Sequence, residues 1–204
     1  MDGEITDEFT SAPAWLAAVA SRVEPSGWDQ PGLGAWDVRS LLGHASRSLV
    51  TVEEYLAQPA RQVEVPSALA YLAFASGADP GSIASRGAAA GVALGGDPAG
   101  AVTELARRTS EIVRATAPDA RLTTIAGGMT LEAYLPTRTV ELIVHGCDLA
   151  MAIGQEPDPP REAATSTARL LVEVQLATAG SAATCLALAG RPIPGGSMVI
   201  WPSA

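Results

Sequence analysis

Apolar residues recur at helical spacing along most of this chain and lapse only where proline and glycine cluster. Trp15, Leu16, Val19 and Val23 share one face of a helix expected over residues 6 to 24, and Pro25-Ser26-Gly27 ends it. Val38, Leu41, Leu42, Ala45, Leu49, Val52 and Leu56 form a second stripe, capped by Asp37 and running to about Gln58. A third long helix starts at Asp97-Pro98, with the aspartate as cap and the proline in the first position, and ends near Ala117. Thr130 caps a fourth over 131–153, stopped by Gly154, and a fifth runs from Arg161 to Ala189. Long helices with short breaks pack as an antiparallel bundle, so the expected fold class is all-α.

The intervening segments are shorter. Trp28 to Ala35 is a loop, and Trp28 and Trp36 are expected to pack it over the bundle end. Pro59 and Pro66 bracket a linker. Residues 67–95 suggest two short helices, with Asp79-Pro80-Gly81 read as a turn. Arg121 to Met129 suggests a hairpin around Gly127-Gly128. The expected organisation is one bundle over residues 1–190 and a short tail over 191–204, with Ser197 to Trp201 as a terminal strand. No repeat of solenoid period is present.

Composition narrows the function classes. With 204 residues, 48% of them apolar, the chain can bury a full core. The net charge of −9 comes without a basic stripe, which argues against nucleic acid and anionic membranes. Arg107 and Arg108 sit beside Glu104 and Glu111 in a helical pattern, a solvated face. Leu176 to Gly190, the most apolar stretch, is interrupted by Thr, Ser and Gly and makes a poor membrane span. Met1-Asp2-Gly3-Glu4 lacks the basic and apolar regions of a signal peptide, and two cysteines do not make a disulfide scaffold. The expected location is cytoplasmic.

The chain has only two histidines. His145 follows Glu141 by four residues on the fourth helix, so the two side chains lie about 40° apart on one face. His44 lies on the second helix, which a bundle can bring opposite that pair. Two imidazoles and a carboxylate make a zinc ligand set with one position open to water or a thiol. The alternative is an exposed surface pair, but apolar neighbours flank both rings: Leu142, Val144 and Leu149 near His145, and Leu41, Leu42 and Ala45 near His44. Burying the three groups without partners is costly, and a shared ion would satisfy them all.

Other residues carry two readings each. Arg138 shares the face of His145 and could hold a substrate carboxylate or orient Glu141; it could equally form a salt bridge at the helix start. Asp148, one turn after His145, could accept a hydrogen bond from the ligand histidine or pair with Arg138 or another arginine. Cys147 lies about 200° round the helix from His145 and is read as a core residue, as is Cys185 within Ala-Thr-Cys-Leu-Ala. Gly95-Gly96-Asp97 and Gly195-Gly196 lack the spacing of a phosphate-binding loop.

Two segments carry a resemblance. Trp28-Asp29-Gln30-Pro31 followed by Trp36-Asp37-Val38-Arg39-Ser40-Leu41-Leu42-Gly43-His44, and Arg138-Thr139-Val140-Glu141-Leu142-Ile143-Val144-His145-Gly146-Cys147-Asp148-Leu149-Ala150, resemble the two signatures of the mycothiol-dependent maleylpyruvate isomerase N-terminal family. The likeness in helix order extends over residues 6 to 190. It implies a DinB-like four-helix bundle with a divalent ion, zinc or another such as nickel or iron, at His44, Glu141 and His145. It also implies mycothiol as the thiol cosubstrate at the open metal position. A divalent ion stabilises thiolate over thiol, and the thiolate can add to an electrophile such as an activated alkene or epoxide. The isomerase resembles a two-part protein with a further C-terminal domain. Here only Arg191 to Ala204 follow the bundle, which moves the expectation from maleylpyruvate isomerisation toward thiol transfer in general.

Three functions are compatible with these residues. The first is a metal-dependent thiol transferase or isomerase acting on a small electrophile, as monomer or homodimer. The second is a non-catalytic metal-binding protein of stress response or ligand binding. The third is a non-haem iron oxygenase, since two histidines and one carboxylate also make a facial triad. Such triads usually sit on β-barrels, whereas this sequence reads as helical.

Overall fold

A computed structural model describes residues 2–77 and 79–192. They form eight helices and one two-stranded hairpin, an all-α fold. The helices are α1 (Asp2–Ala20), α2 (Val38–Leu56), α3 (Ala68–Ala75), α4 (Pro80–Ala93), α5 (Pro98–Ala115), α6 (Leu131–Ala152), α7 (Arg161–Ala179) and α8 (Ser181–Leu188). β1 (Arg121–Thr124) and β2 (Gly127–Thr130) lie between α5 and α6 and pair antiparallel. None of the described helices is long and apolar enough to cross a membrane.

The bundle proper is α1, α2, α5 and α6. Each of α1 and α2 packs on both α5 and α6. Their shared core holds Phe9, Leu16, Leu41, Leu42, Leu49, Leu135, Leu142 and Leu149, all essentially without exposure. Burying each such side chain stabilises the fold by about 1.5–3 kcal/mol. Side chains fix where the helices begin. Asp37 Oδ1 accepts from the backbone N–H of Ser40 at 2.7 Å, Asp97 Oδ1 from Gly100 at 3.0 Å, and Thr130 Oγ1 from Ala133 at 3.3 Å. These caps satisfy amides that the first helical turn leaves unpaired.

The structure differs from the sequence reading in several places. The first helix spans Asp2–Ala20, not 6 to 24, and continues through Pro13. Asp79-Pro80 is not a turn. Asp79 Oδ2 accepts from Ser82 N at 2.7 Å, and Pro80 opens α4, the same cap-and-proline pair as at Asp97-Pro98. In the hairpin Thr124 faces Gly127, so Ile125 and Ala126 form the turn and Gly127-Gly128 begin β2. The linker explains the glycine at 128: a Cβ there would run into the Gln62 carbonyl and the Ala60 side chain, while Glu64 and Val65 donate backbone N–H groups to the Gly128 carbonyl at 2.8 and 3.0 Å. The expected helix 161–189 is two helices, because Gly180 adopts φ 81 and breaks it. Cys185 is exposed on α8 and is not a core residue, since α8 buries only Thr184. The strand expected over Ser197 to Trp201, and nearly all of the tail, lie outside the described residues.

Candidate metal centre

α2 and α6 pack against each other in the bundle, and that contact brings the two histidines together. Glu141 Oε2 lies 3.5 Å from His44 Nε2 and 3.2 Å from His145 Nε2. One ligand atom from each residue falls within 4.8 Å of the others, the only such histidine, cysteine or acidic cluster among the described residues. The imidazoles stand nearly perpendicular, with ring centroids 4.7 Å apart. All three side chains are mostly buried, His145 almost completely.

Two observations test whether these residues fit an ion. His145 Nε2 and His44 Nδ1 are buried polar atoms without a hydrogen-bond partner. The 3.2 Å approach of Glu141 to His145 is close enough for an ion pair, yet its direction is not that of a hydrogen bond. Buried orphaned nitrogens are costly, and an ion beside Glu141, taking the place of the proton on His145 Nε2, would give that nitrogen a partner. The set of two nitrogens and one carboxylate oxygen suits zinc with one position left open. The residues fit.

Charge around the cluster is uneven. Burial opposes ionisation of Glu141, but the two imidazoles and Arg138 outweigh it and hold the carboxyl well below its usual range. Burial also resists charge on His145, yet Asp148 and Glu141 push it up to about 9. For His44 burial prevails over Glu141 and lowers it, helped by the charge on His145. Without an ion, the centre therefore holds a carboxylate, a protonated His145 and a neutral His44 at neutral pH.

Neighbouring groups hold the rings in place. Asp148 Oδ2 lies 3.0 Å from His145 Nδ1. Trp36 stacks on His44 with centroids 4.5 Å apart, and its indole N–H donates to the Ala84 carbonyl of α4 at 2.9 Å. Each histidine also has a glycine beside it in sequence. A Cβ on Gly43 would run into the backbone of Gly91 on α4, and one on Gly146 would run into the Trp15 ring of α1. These glycines let α4 and Trp15 approach the ligand-bearing helices closely.

The centre lines a cavity of about 590 Å³ whose walls come from α2, α3, α4, α6 and the hairpin turn. Its lining is mainly apolar and aromatic, with Tyr55, Tyr71, Phe74, Ile83 and Ile125 beyond the metal ligands. Arg138 also lines it, buried, with its guanidinium carbon 5.3 Å from the Tyr71 ring centre and 5.0 Å from that of Tyr134. Tyr134 is held in turn by its hydroxyl, 3.0 Å from Thr51 Oγ1.

The residues picked out in the sequence are thus placed as follows. His44, Glu141 and His145 converge. Asp148 faces His145 and not an arginine. Arg138 makes no ion pair among the described residues, with Glu141 or any other acid. Cys147 is half-buried, and burial raises its thiol pKa. Trp36, expected only to cover the bundle end, is a wall of the site. Its spacing from His44 gives no hint of this, because the contact depends on how α4 folds back over the loop.

The profile of the family described as mycothiol maleylpyruvate isomerase N-terminal domain matches residues 9–150, which span both histidines and Glu141. No curated protein and no solved structure matches the chain.

Proposed function

Because the chain belongs to the mycothiol maleylpyruvate isomerase N-terminal domain family, we propose that it is a metal-dependent enzyme that uses a small thiol against a small electrophile. The thiol is mycothiol, and the outcome is thiol transfer or thiol-assisted isomerisation. The observation that carries this reading is the convergence of His44, Glu141 and His145 in the wall of a cavity.

The ion, zinc in this proposal, supplies Lewis acidity that keeps a coordinated thiol in its thiolate form at neutral pH. The chain's own residues prepare that centre. Asp148 accepts the Nδ1–H of His145, which leaves Nε2 as the nitrogen that faces Glu141 and would hold the ion. The Trp36 ring fixes the plane of His44 and closes one side of the site. The apolar walls keep water away from a nucleophile and strengthen electrostatic contacts inside. Arg138 contributes a fixed positive charge on the same face of α6, one turn from Glu141. One chain supplies the whole donor set, so a monomer suffices. The cytosol, where small thiols are kept reduced, is the compartment that suits the reaction.

The test is a coupled assay of mycothiol with a reporter electrophile such as monobromobimane, run on zinc-loaded protein with and without chelator. The expected result is turnover that chelator abolishes and that His44→Ala lacks. Metal bound at full occupancy with no acceleration over the free thiol would instead mark a binding protein.

A further inference from the structure

Arg138 is the one buried arginine of the described residues, at 8% exposure, and it has no acidic partner within ion-pair distance there. Its single side-chain hydrogen bond runs from Nε to Thr137 Oγ1 at 3.0 Å. Tyr71 and Tyr134 frame its guanidinium by cation–π contact, which holds the group in place but does not neutralise it. The nearest acid, Glu141, is already shared between two imidazoles. A buried cation without an anion is unfavourable. A planar carboxylate accepting two parallel N–H bonds would remove that penalty, and the guanidinium lines a cavity from which one can arrive.

The same cavity is much larger than a carboxylate needs. At about 590 Å³ it falls in the range that encloses most of a drug-sized molecule. Phe74 on α3 and Ile125 at the hairpin turn line it while remaining 56% and 67% exposed. Single exposed hydrophobic residues are ordinary. These two come from separate segments of the chain and line the same cavity, as does Ile83 of α4.

We propose that the electrophile is an amphipathic carboxylate, with its head held by Arg138 and an apolar body lying along Tyr71, Ile83, Phe74 and Ile125. This rests on the reading above, that the cavity is where the electrophile binds, and adds its chemical class. Arg47 and Arg86 also line the cavity. With Arg138 they set three arginines against two acids in the lining, Asp79 and Glu141, which in a chain of net charge −9 makes the cavity comparatively attractive to anions.

Calorimetry with unreactive ligands tests the proposal without thiol or turnover, so its failure is separable from failure of the transferase reading. Octanoate, acetate, octanol and octyl phosphate are titrated into metal-free and zinc-loaded protein, which separates binding to the guanidinium from coordination to the ion. Octanoate is expected to bind at least tenfold more tightly than acetate or octanol in both forms. Arg138→Gln should remove the preference for octanoate over octanol. Phe74→Ser and Ile125→Ser, both at exposed positions, should weaken octanoate several-fold and leave acetate unchanged. Equal affinity for octanol and octanoate, tighter binding of octyl phosphate, or unaltered octanoate binding by the two rim variants would overturn it.

Discussion

Asp148 Oδ2 sits 3.0 Å from His145 Nδ1, one helical turn away on α6. The carboxylate thereby decides which nitrogen of His145 is left to face Glu141 and His44. This makes Asp148 a positioning residue that acts through His145. Asp148→Ala is expected to weaken zinc binding by about 10–100-fold. Competition with a chromophoric chelator measures this, and circular dichroism checks that the helices persist. An unchanged affinity would show that the contact has no part in metal binding.

Acidity around the same histidine sets a pH dependence. His145 is raised to about 9 in the metal-free protein, against about 6.5 for a free imidazole. At pH 7 an incoming ion must therefore displace one proton from it. His44 is lowered and Glu141 is held well below its usual range, so neither adds a proton. Zinc affinity is expected to rise by about tenfold per pH unit between pH 7 and 9 and then level off. The sign for stability is opposite in the metal-free protein. A raised folded-state pKa gives a contribution fully present below about 6.5 and lost as pH passes about 9. Calorimetry in buffers of different ionisation enthalpy counts the proton, and thermal melts at pH 7 and 9 check the second statement.

Close approach of α4 to α2 gives a prediction about stability. Gly43→Ala places a methyl group against the Gly91 backbone, which cannot move aside as a flexible side chain would. Overpacking of this kind costs about 1–3 kcal/mol. Gly96→Ala, where nothing lies within 4 Å, is the control. Denaturant unfolding of both variants should show the loss at position 43 only. Since α4 also carries the Ala84 carbonyl that anchors Trp36, zinc binding by the Gly43 variant should weaken as well.

Much of the site was legible because histidine is scarce here. With two in the chain, and one of them four residues after a glutamate, helix periodicity alone put a pair on one face, and the apolar surroundings put that face inside. The caps at Asp37, Asp97 and Thr130 were legible because their chemistry is local. Asp79-Pro80 carries the same local signal as Asp97-Pro98, but it lies in a stretch so rich in alanine and glycine that no apolar stripe marks the helix after it. Gly180 was missed for a related reason: a lone glycine is tolerated within helices, and only its positive φ shows the break. The hairpin turn was misplaced because Gly127-Gly128 looks like turn chemistry, whereas Gly128 is there to admit the close approach of linker residues Ala60 and Gln62. The stacking of Trp36 on His44 and the solitary burial of Arg138 were not legible at all. Both are facts about what lies across the bundle, and no local pattern encodes them.

The central claim is that a divalent ion occupies the point where α2 and α6 present these three side chains. A crystal of the protein loaded with zinc, recorded on both sides of the zinc absorption edge, tests it directly. The account predicts one full-occupancy anomalous peak about 2.0–2.2 Å from a nitrogen of His44, a nitrogen of His145 and an oxygen of Glu141. An empty centre, with the metal bound elsewhere on the surface, would contradict it.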